Sequence, residues 1–317
     1  MNSSRHNESL IRQVIELLPF DDSPDPQSVI ARLEQLQHGL EPENEFSLIL
    51  SWLGKCRLVH KLGQEQLPLN STDTYRVPDL LAAFDHDGKI IPVLIEVKST
   101  ASPVSLKPHY FRYAELLRLP MLIAWKHATF WTLFEMRHAE IATTNYKIDF
   151  SRAMEENLLG LLAGDISYSL APGTEMQIRM EKLTSPDPQT GDFEVQIEDA
   201  YFVNPAGERV AEIPGLTSLF MFWENRAEAW DEGEHLVQSF VVPEPRHAEF
   251  ASRTLSQIVH AFAGLKASSV NWGAIIHDKE HQAHRTGRLQ ALVAEGARQG
   301  VITDVLHFKP HHLPLFL

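Results

Sequence analysis

The sequence predicts a mixed α/β core, a β-rich middle region and a helical C-terminal module. Three observations predict it. Residues 77–99, VPDLLAAFDHDGKIIPVLIEVKS, place two apolar runs around Asp85-His86-Asp87-Gly88, the pattern of a β-hairpin whose Asp-Gly supplies positive φ. Apolar residues fall at helical spacing on both sides of it: Phe46, Ile49, Leu50 and Leu53 before, Phe111, Ala114 and Leu117 after. From Ile166 to about Val242 the texture changes to short alternating runs separated by turn clusters such as Ser185–Gly191 and Asn204–Gly207.

Composition bounds the class. A chain of 317 residues with 44% hydrophobic content can form about two domains with a substantial core. The single cysteine, Cys56, excludes a disulfide framework and reads as a small buried hydrophobe. Residues 1–10 lack the apolar centre of a signal peptide, and the longest apolar stretch, 120–134, is broken by Lys126 and His127. A soluble, cytoplasmic protein with no membrane partner is expected.

The net charge of −14 argues against indiscriminate binding to nucleic acid. That charge is uneven. Residues 1–150 hold 15 basic and 19 acidic side chains, residues 151–246 hold 6 and 18, and residues 247–317 hold 7 and 5. The acidic load sits in the middle, which leaves both ends compatible with a phosphate backbone.

Taken in order, residues 5–18 and 27–37 have helical spacing, separated by the turn-rich PFDDSPDP. Residues 1–40 form an N-terminal helical segment on this reading. A third helix opens at Glu43-Asn44-Glu45. Arg57 to Leu62 reads as a strand, and the hairpin follows after a polar loop. Lys107 to Leu119 reads as a helix ended by Pro120, and Met121–Trp125 and Phe130–Phe134 as strands. A helix over 151–165 closes a core of residues 41–165. The acidic β-rich region spans 166–243, with strands expected at 176–180, 193–197, 200–203, 210–213 and 219–223. The C-terminal module spans 244–317, with helices at 247–263, 270–277 and 281–299, a cap at Gly300 and a strand at 301–308.

The hairpin also carries the chemistry. Asp79 starts its first strand, and Glu96 and Lys98 end its second, so both carboxylates lie at the same end. Side chains two apart on a strand share a face, which puts Glu96 and Lys98 together. Carboxylates are the ligands Mg²⁺ prefers, and a neighbouring lysine can orient or deprotonate a water. Either fragment alone is commonplace, since Glu-x-Lys usually marks a solvated pair. Here Pro92–Ile95 makes the Glu96 strand look buried, and a charged pair at the end of a buried strand needs a reason.

Pro78-Asp79 followed by Glu96-Val97-Lys98 resembles the signature of the PD-(D/E)xK nuclease superfamily. The element order from Glu45 to Phe134 is similar to its restriction-endonuclease-like αβββαβ core. The resemblance implies a nuclease that hydrolyses phosphodiester bonds in DNA, in restriction or defence, repair or mobile-element processing. Endonucleolytic cleavage is the preferred mode. It further implies Mg²⁺ (or Mn²⁺) held by Asp79 and Glu96, with Lys98 assisting the attacking water. In many members a preceding helix adds an acidic residue; Glu45 is the first choice here and Glu43 the second, although acidic residues also favour helix N-termini for electrostatic reasons.

Some branches carry a Gln-x-x-x-Tyr pair on the next helix. Tyr113 fits, but His109 stands where glutamine would, so the branch stays unassigned. Lys107, Tyr110, Arg112 and Tyr113 are candidate nucleic-acid contacts there. A winged-helix-like C-terminal module would add Arg285 and Arg288, beside His284 on its recognition helix. The acidic middle implies that a protein partner or a homo-oligomer supplies part of the affinity.

Two rival readings come from other classes. One is a catalytically inert nuclease-fold subunit that docks a partner; the presence of Asp79, Glu96 and Lys98 together argues against it. The other is a zinc metallopeptidase, because His277, Glu280 and His281 fit H-x-x-E-H. That stretch is strongly polar, unlike the buried helix such sites occupy, and a solvated helix face accounts for it.

Overall fold

A computed structural model describes residues 42–63, 71, 73–142, 145–210, 226–242, 248–257 and 288–317. Helix α1 is described over 42–53 and stops at Gly54 with φ 102°. Strands β1 (Cys56–Lys61), β2 (Leu80–His86) and β3 (Lys89–Ser99) follow. Then come β4 (Val104–Leu106), helix α2 (His109–Leu117), β5 (Met121–His127) and β6 (Phe130–Glu135).

One mixed five-stranded sheet runs β1-β2-β3-β5-β6. The β3–β5 pair is parallel, crossed over through α2, and the other pairs are antiparallel. The central hairpin closes as the sequence requires. His86 pairs with Lys89, while Asp87 and Gly88 take φ 52° and 79°, two successive positive values that match the right-handed strand twist.

The two faces of β3 have different jobs. Val93, Ile95 and Val97 bury into one cluster with Phe46, Ile49, Leu50 and Leu53 of α1. Leu94 faces the other way, into a cluster with Ala114 of α2, Ile123 and Trp125. Period-two alternation therefore puts Glu96 and Lys98 on the α2 face, just past the apolar floor made by Leu94.

Beyond the sheet, β7 (Glu140–Ala142) and β8 (Asn145–Ile148) pair with each other, and β8 with β4, in a small sheet. The helix expected over 151–165 is shorter. Helix α3 spans Phe150–Glu155, started by Asp149, whose carboxylate accepts from the Arg152 amide at 2.9 Å. Asn157 Oδ1 then accepts from the Leu133 and Leu159 amides, which turns the chain off the helix axis into a single π turn at Leu159–Ala163.

The β-rich region is an antiparallel sheet of order β11-β10-β13-β12. It contains β10 (Glu175–Lys182), β11 (Val195–Val203), β12 (Arg226–Glu232) and β13 (His235–Val241). The two strands expected at 193–197 and 200–203 are the single β11, which continues through a bulge against Arg179 and Met180. The strand expected at 219–223 lies outside the described residues.

A three-stranded sheet joins distant parts of the chain. In it, β9 (Ser167–Leu170) lies between β14 (Ala248–Phe250) and β15 (Ile302–Leu306). The helix expected from His247 therefore starts later. Residues 248–250 pair with β9, and helix α4 occupies 251–257. Helix α5 (Arg288–Arg298) precedes Gly300, whose φ of 74° ends it as anticipated. Leu255, Leu292, Val293 and Ile302 share one buried cluster with α1 and the central sheet. The helices expected over 5–18, 27–37 and 270–277 lie outside the described residues.

Candidate active site

Backbone register builds the site. Leu80 pairs with Ile95, so Asp79 comes level with Glu96 across the β2–β3 ladder. The Val97 amide donates to Asp79 Oδ2 at 2.7 Å, while the Leu62 amide donates to the Asp79 carbonyl at 2.9 Å. Those bonds fix Asp79 between β1 and β3. Glu96 is 1% exposed, near the middle of the sheet, and pairs in register with Ile123. Lys98 Nζ donates to Glu96 Oε1. Glu96 Oε2 is buried without a hydrogen-bond partner. The Tyr110 ring of α2 lies 5.8 Å from Lys98 Nζ.

A third carboxylate comes from α1, and it belongs to Glu43. It lies against Asp79, with Lys61 Nζ 3.9 Å from its Oε2. Glu45, two residues on, points elsewhere. It is 2% exposed, and its oxygens accept from Lys126 Nζ at 2.6 Å, Trp131 Nε1 at 3.0 Å and Ser256 Oγ. That carboxylate bolts α1 to β5, β6 and α4. Residues two apart on a helix stand about 200° apart, so the two glutamates cannot share a task.

The electrostatics record crowding. Burial, then the Asp79 charge, raises the Glu96 carboxyl to about 8. Lys98 and the Tyr110 hydroxyl offset only part of that rise. Burial, followed by Asp79, raises Glu43 to about 7. Asp79 is raised too, by burial, against the opposing pull of the Val97 amide and Lys98. Burial lowers Lys61, and raises the Tyr110 hydroxyl with help from Glu96. Three crowded carboxylates all raised by burial, one with an orphaned buried oxygen, form a site short of positive charge. A divalent cation supplies that charge in the form hard oxygen ligands favour. Asp79, Glu96 and Glu43 fit such an ion.

The structure thus brings Asp79, Glu96, Lys98 and Tyr110 together and keeps Glu45 apart. Lys107 and Arg112 are exposed at the entrance to α2 and on its outer face, and Tyr113 is half-buried in the α2 cluster. Arg288 begins α5; Arg285, His277, Glu280 and His281 lie outside the described residues. Sequence reasoning missed Lys61, whose only signal was its place at the end of the strand beside Asp79.

No protein-family model matches the chain, and no characterised relative is found by sequence. Among solved structures, a Holliday junction resolvase from the archaeal hyperthermophile Archaeoglobus fulgidus shows similarity at 20% identity. It covers 34% of this chain and 88% of that one, with a TM-score of 0.27. No helix among the described residues is long and apolar enough to cross a membrane.

Proposed function

We propose that the chain is a divalent-metal-dependent nuclease with a restriction-endonuclease-like core, cleaving phosphodiester bonds in DNA. The observation that carries this reading is the convergence of Asp79, Glu96 and Glu43 at one end of the β2–β3 hairpin, with Glu96 Oε2 buried and unpartnered. Nothing in folding requires that arrangement. A buried carboxylate oxygen without a donor costs ~1–3 kcal/mol or more, a cost that ligation removes.

Asp79, Glu96 and Glu43 would hold Mg²⁺ or Mn²⁺, which polarises a bound phosphodiester and stabilises the departing oxygen. The chain's own groups do the rest. The Val97 amide locks the rotamer of Asp79. Lys98 has its Nζ on Glu96 and a side chain one-third exposed, so it reaches from the buried ligand to the open face where water enters. From there it orients the attacking water and moves its proton. Tyr110 limits where Lys98 Nζ can go. Lys107 and Arg112 are exposed before and on α2 and would suit a phosphate backbone. Defence, repair and mobile-element processing are the settings that fit. A partner or a second copy would offset the acidic middle region.

The test is metal-dependent cleavage of supercoiled plasmid, linear duplex, single-stranded and branched DNA, with RNA as comparison. Wild type should cut with Mg²⁺ or Mn²⁺ and stop with chelator. Asp79→Ala should abolish cleavage while circular dichroism and melting stay native. An Asp79→Ala protein that cuts at the wild-type rate would remove the assignment.

A further inference from the structure

A second cluster of ligating groups lies outside the carboxylate site. His138 follows β6, Glu156 ends α3, and His312 comes from the C-terminal tail. One nitrogen from each ring and one carboxylate oxygen all lie within 4.8 Å of one another. Glu156 is 1% exposed. His312 Nδ1 is 2.7 Å from Glu156 Oε1, and the His312 amide donates to Oε2 at 3.2 Å. His138 Nε2 stands 3.7 Å from Oε2, and the two imidazoles stack with centroids 5.4 Å apart.

Two features suit this cluster to a metal ion. The first is the 3.7 Å gap. It is too long for a hydrogen bond and close to the separation of two donors on one tetrahedral ion, ~3.3 Å for metal bonds of about 2.0–2.1 Å. The second is access. The His312 side chain is more than half exposed, and His138 borders a pocket of about 330 Å³ lined also by Lys147, Asp149 and Arg152. Arg152 lies 3.0 Å from Glu156 Oε1, but it also pairs with Glu155 Oε2 at 3.0 Å. It keeps that partner when Glu156 turns to a cation.

We infer that His138, Glu156 and His312 form a transition-metal site, zinc by donor set, that clamps the C-terminal tail to the core. Two imidazoles and one carboxylate are a zinc set with an open fourth position, whereas Mg²⁺ prefers an all-oxygen shell. The tail is already aligned for it. The His311 amide donates to the Glu155 carbonyl at 2.9 Å, and Arg137 donates to the Leu313 carbonyl at 2.6 Å. The site is independent of the nuclease reading.

Co²⁺, spectroscopically visible, is the probe, titrated into the full chain carrying Asp79→Ala so that the carboxylate site is silenced. The result expected is one Co²⁺ per chain with the visible absorption of a low-coordinate ion, displaced by Zn²⁺. His312→Ala should weaken it by more than the roughly 10- to 100-fold that loss of an outer supporting group costs. Because His312 is half-exposed, that variant should fold; His138→Ala, checked by circular dichroism, should behave alike. His281→Ala serves as the control for the histidine-rich stretch 277–284 and should leave the spectrum unchanged. Absence of stoichiometric Co²⁺ would overturn the proposal, as would binding that survives both His312→Ala and His138→Ala or vanishes in His281→Ala alone.

Discussion

Metal binding at the carboxylate cluster should strengthen steeply as pH rises from 6 to 9. Without a cation, Glu96 sits at about 8 and Glu43 at about 7, each raised mainly by burial. A carboxyl must lose its proton before it ligates, so metal and proton compete. A group titrating near 8 is ionised to roughly 1% at pH 6 and 90% at pH 9, which makes the rise ~100-fold through Glu96 alone. If Glu43 also ligates, its ionisation adds about another tenfold, for ~1,000-fold in total. The two groups face each other through Asp79, so the protons leave in steps that belong to the cluster. Mg²⁺ titration by calorimetry, in buffers of different ionisation enthalpy, gives both affinity and protons released. About two protons per Mg²⁺ should appear at pH 6 and none at pH 9. Glu96→Gln should weaken binding and remove most of the slope. A flat affinity between pH 6 and 9, or an unchanged slope in Glu96→Gln, would refute the argument that these carboxylates form the ligand set.

Three further outcomes follow from neighbouring residues. Lys98→Ala should cut single-turnover cleavage by ~10²–10⁴-fold while Mg²⁺ affinity at pH 9, where Glu96 is ionised, holds or rises, because the like charge opposing the cation is gone; wild-type turnover would exclude a catalytic lysine. Glu43→Gln should impair cleavage with little change in melting. Glu45→Ala should destabilise by about 3–5 kcal/mol in urea unfolding, since it removes a buried carboxylate bonded to Lys126, Trp131 and Ser256, and equal effects of the two variants on stability would contradict the separation of roles. Asp165 accepts from Ser252 Oγ and the Ser252 and Ile166 amides, yet burial raises it from 3.8 to about 6. The folded state then holds a proton the unfolded chain has lost. Its contribution is complete below pH 4 and is lost as pH rises to about 6, roughly 3 kcal/mol, and Asp165→Asn should erase that part of the pH profile.

How much was legible in the sequence depended on whether the cause was local. Asp87-Gly88 dictates its own turn, and the flanking runs Leu80–Phe84 and Ile90–Ile95 are apolar, with Leu80, Phe84, Val93 and Ile95 fully buried, so hairpin, register and the pairing of Asp79 with Glu96 all follow from neighbours. The choice between Glu43 and Glu45 could not follow. Both begin the same helix, and only the approach of β2 on one side and of Trp131, Lys126 and Ser256 on the other separates them. Strand β14 was hidden for the same reason. Residues 248–250 take strand geometry because β9, some 80 residues earlier in the chain, offers an open edge. Tyr110 was singled out as a phosphate contact from its place on α2, but its partners Glu96 and Lys98 come from the sheet beneath.

The placement of Glu45 makes the C-terminal segments part of the site's foundation. Glu43 can meet Asp79 only if α1 holds its rotation about its own axis, and that rotation is set on the opposite side by Glu45. Ser256 of α4 and Lys126 of β5 grip the same carboxylate, and Leu255 buries beside Ser256 in the cluster that packs α1. Helix α4 follows directly from β14, which is held by β9, which β15 covers from its other edge. A chain of contacts therefore runs from the C-terminal strand through β9, β14 and α4 to Glu45, and through about half a turn of helix to Glu43. Each link is a buried hydrogen bond or a strand ladder, and interiors packed this closely transmit small shifts. The helix that carries the third carboxylate is thus oriented by residues more than 200 positions away in sequence.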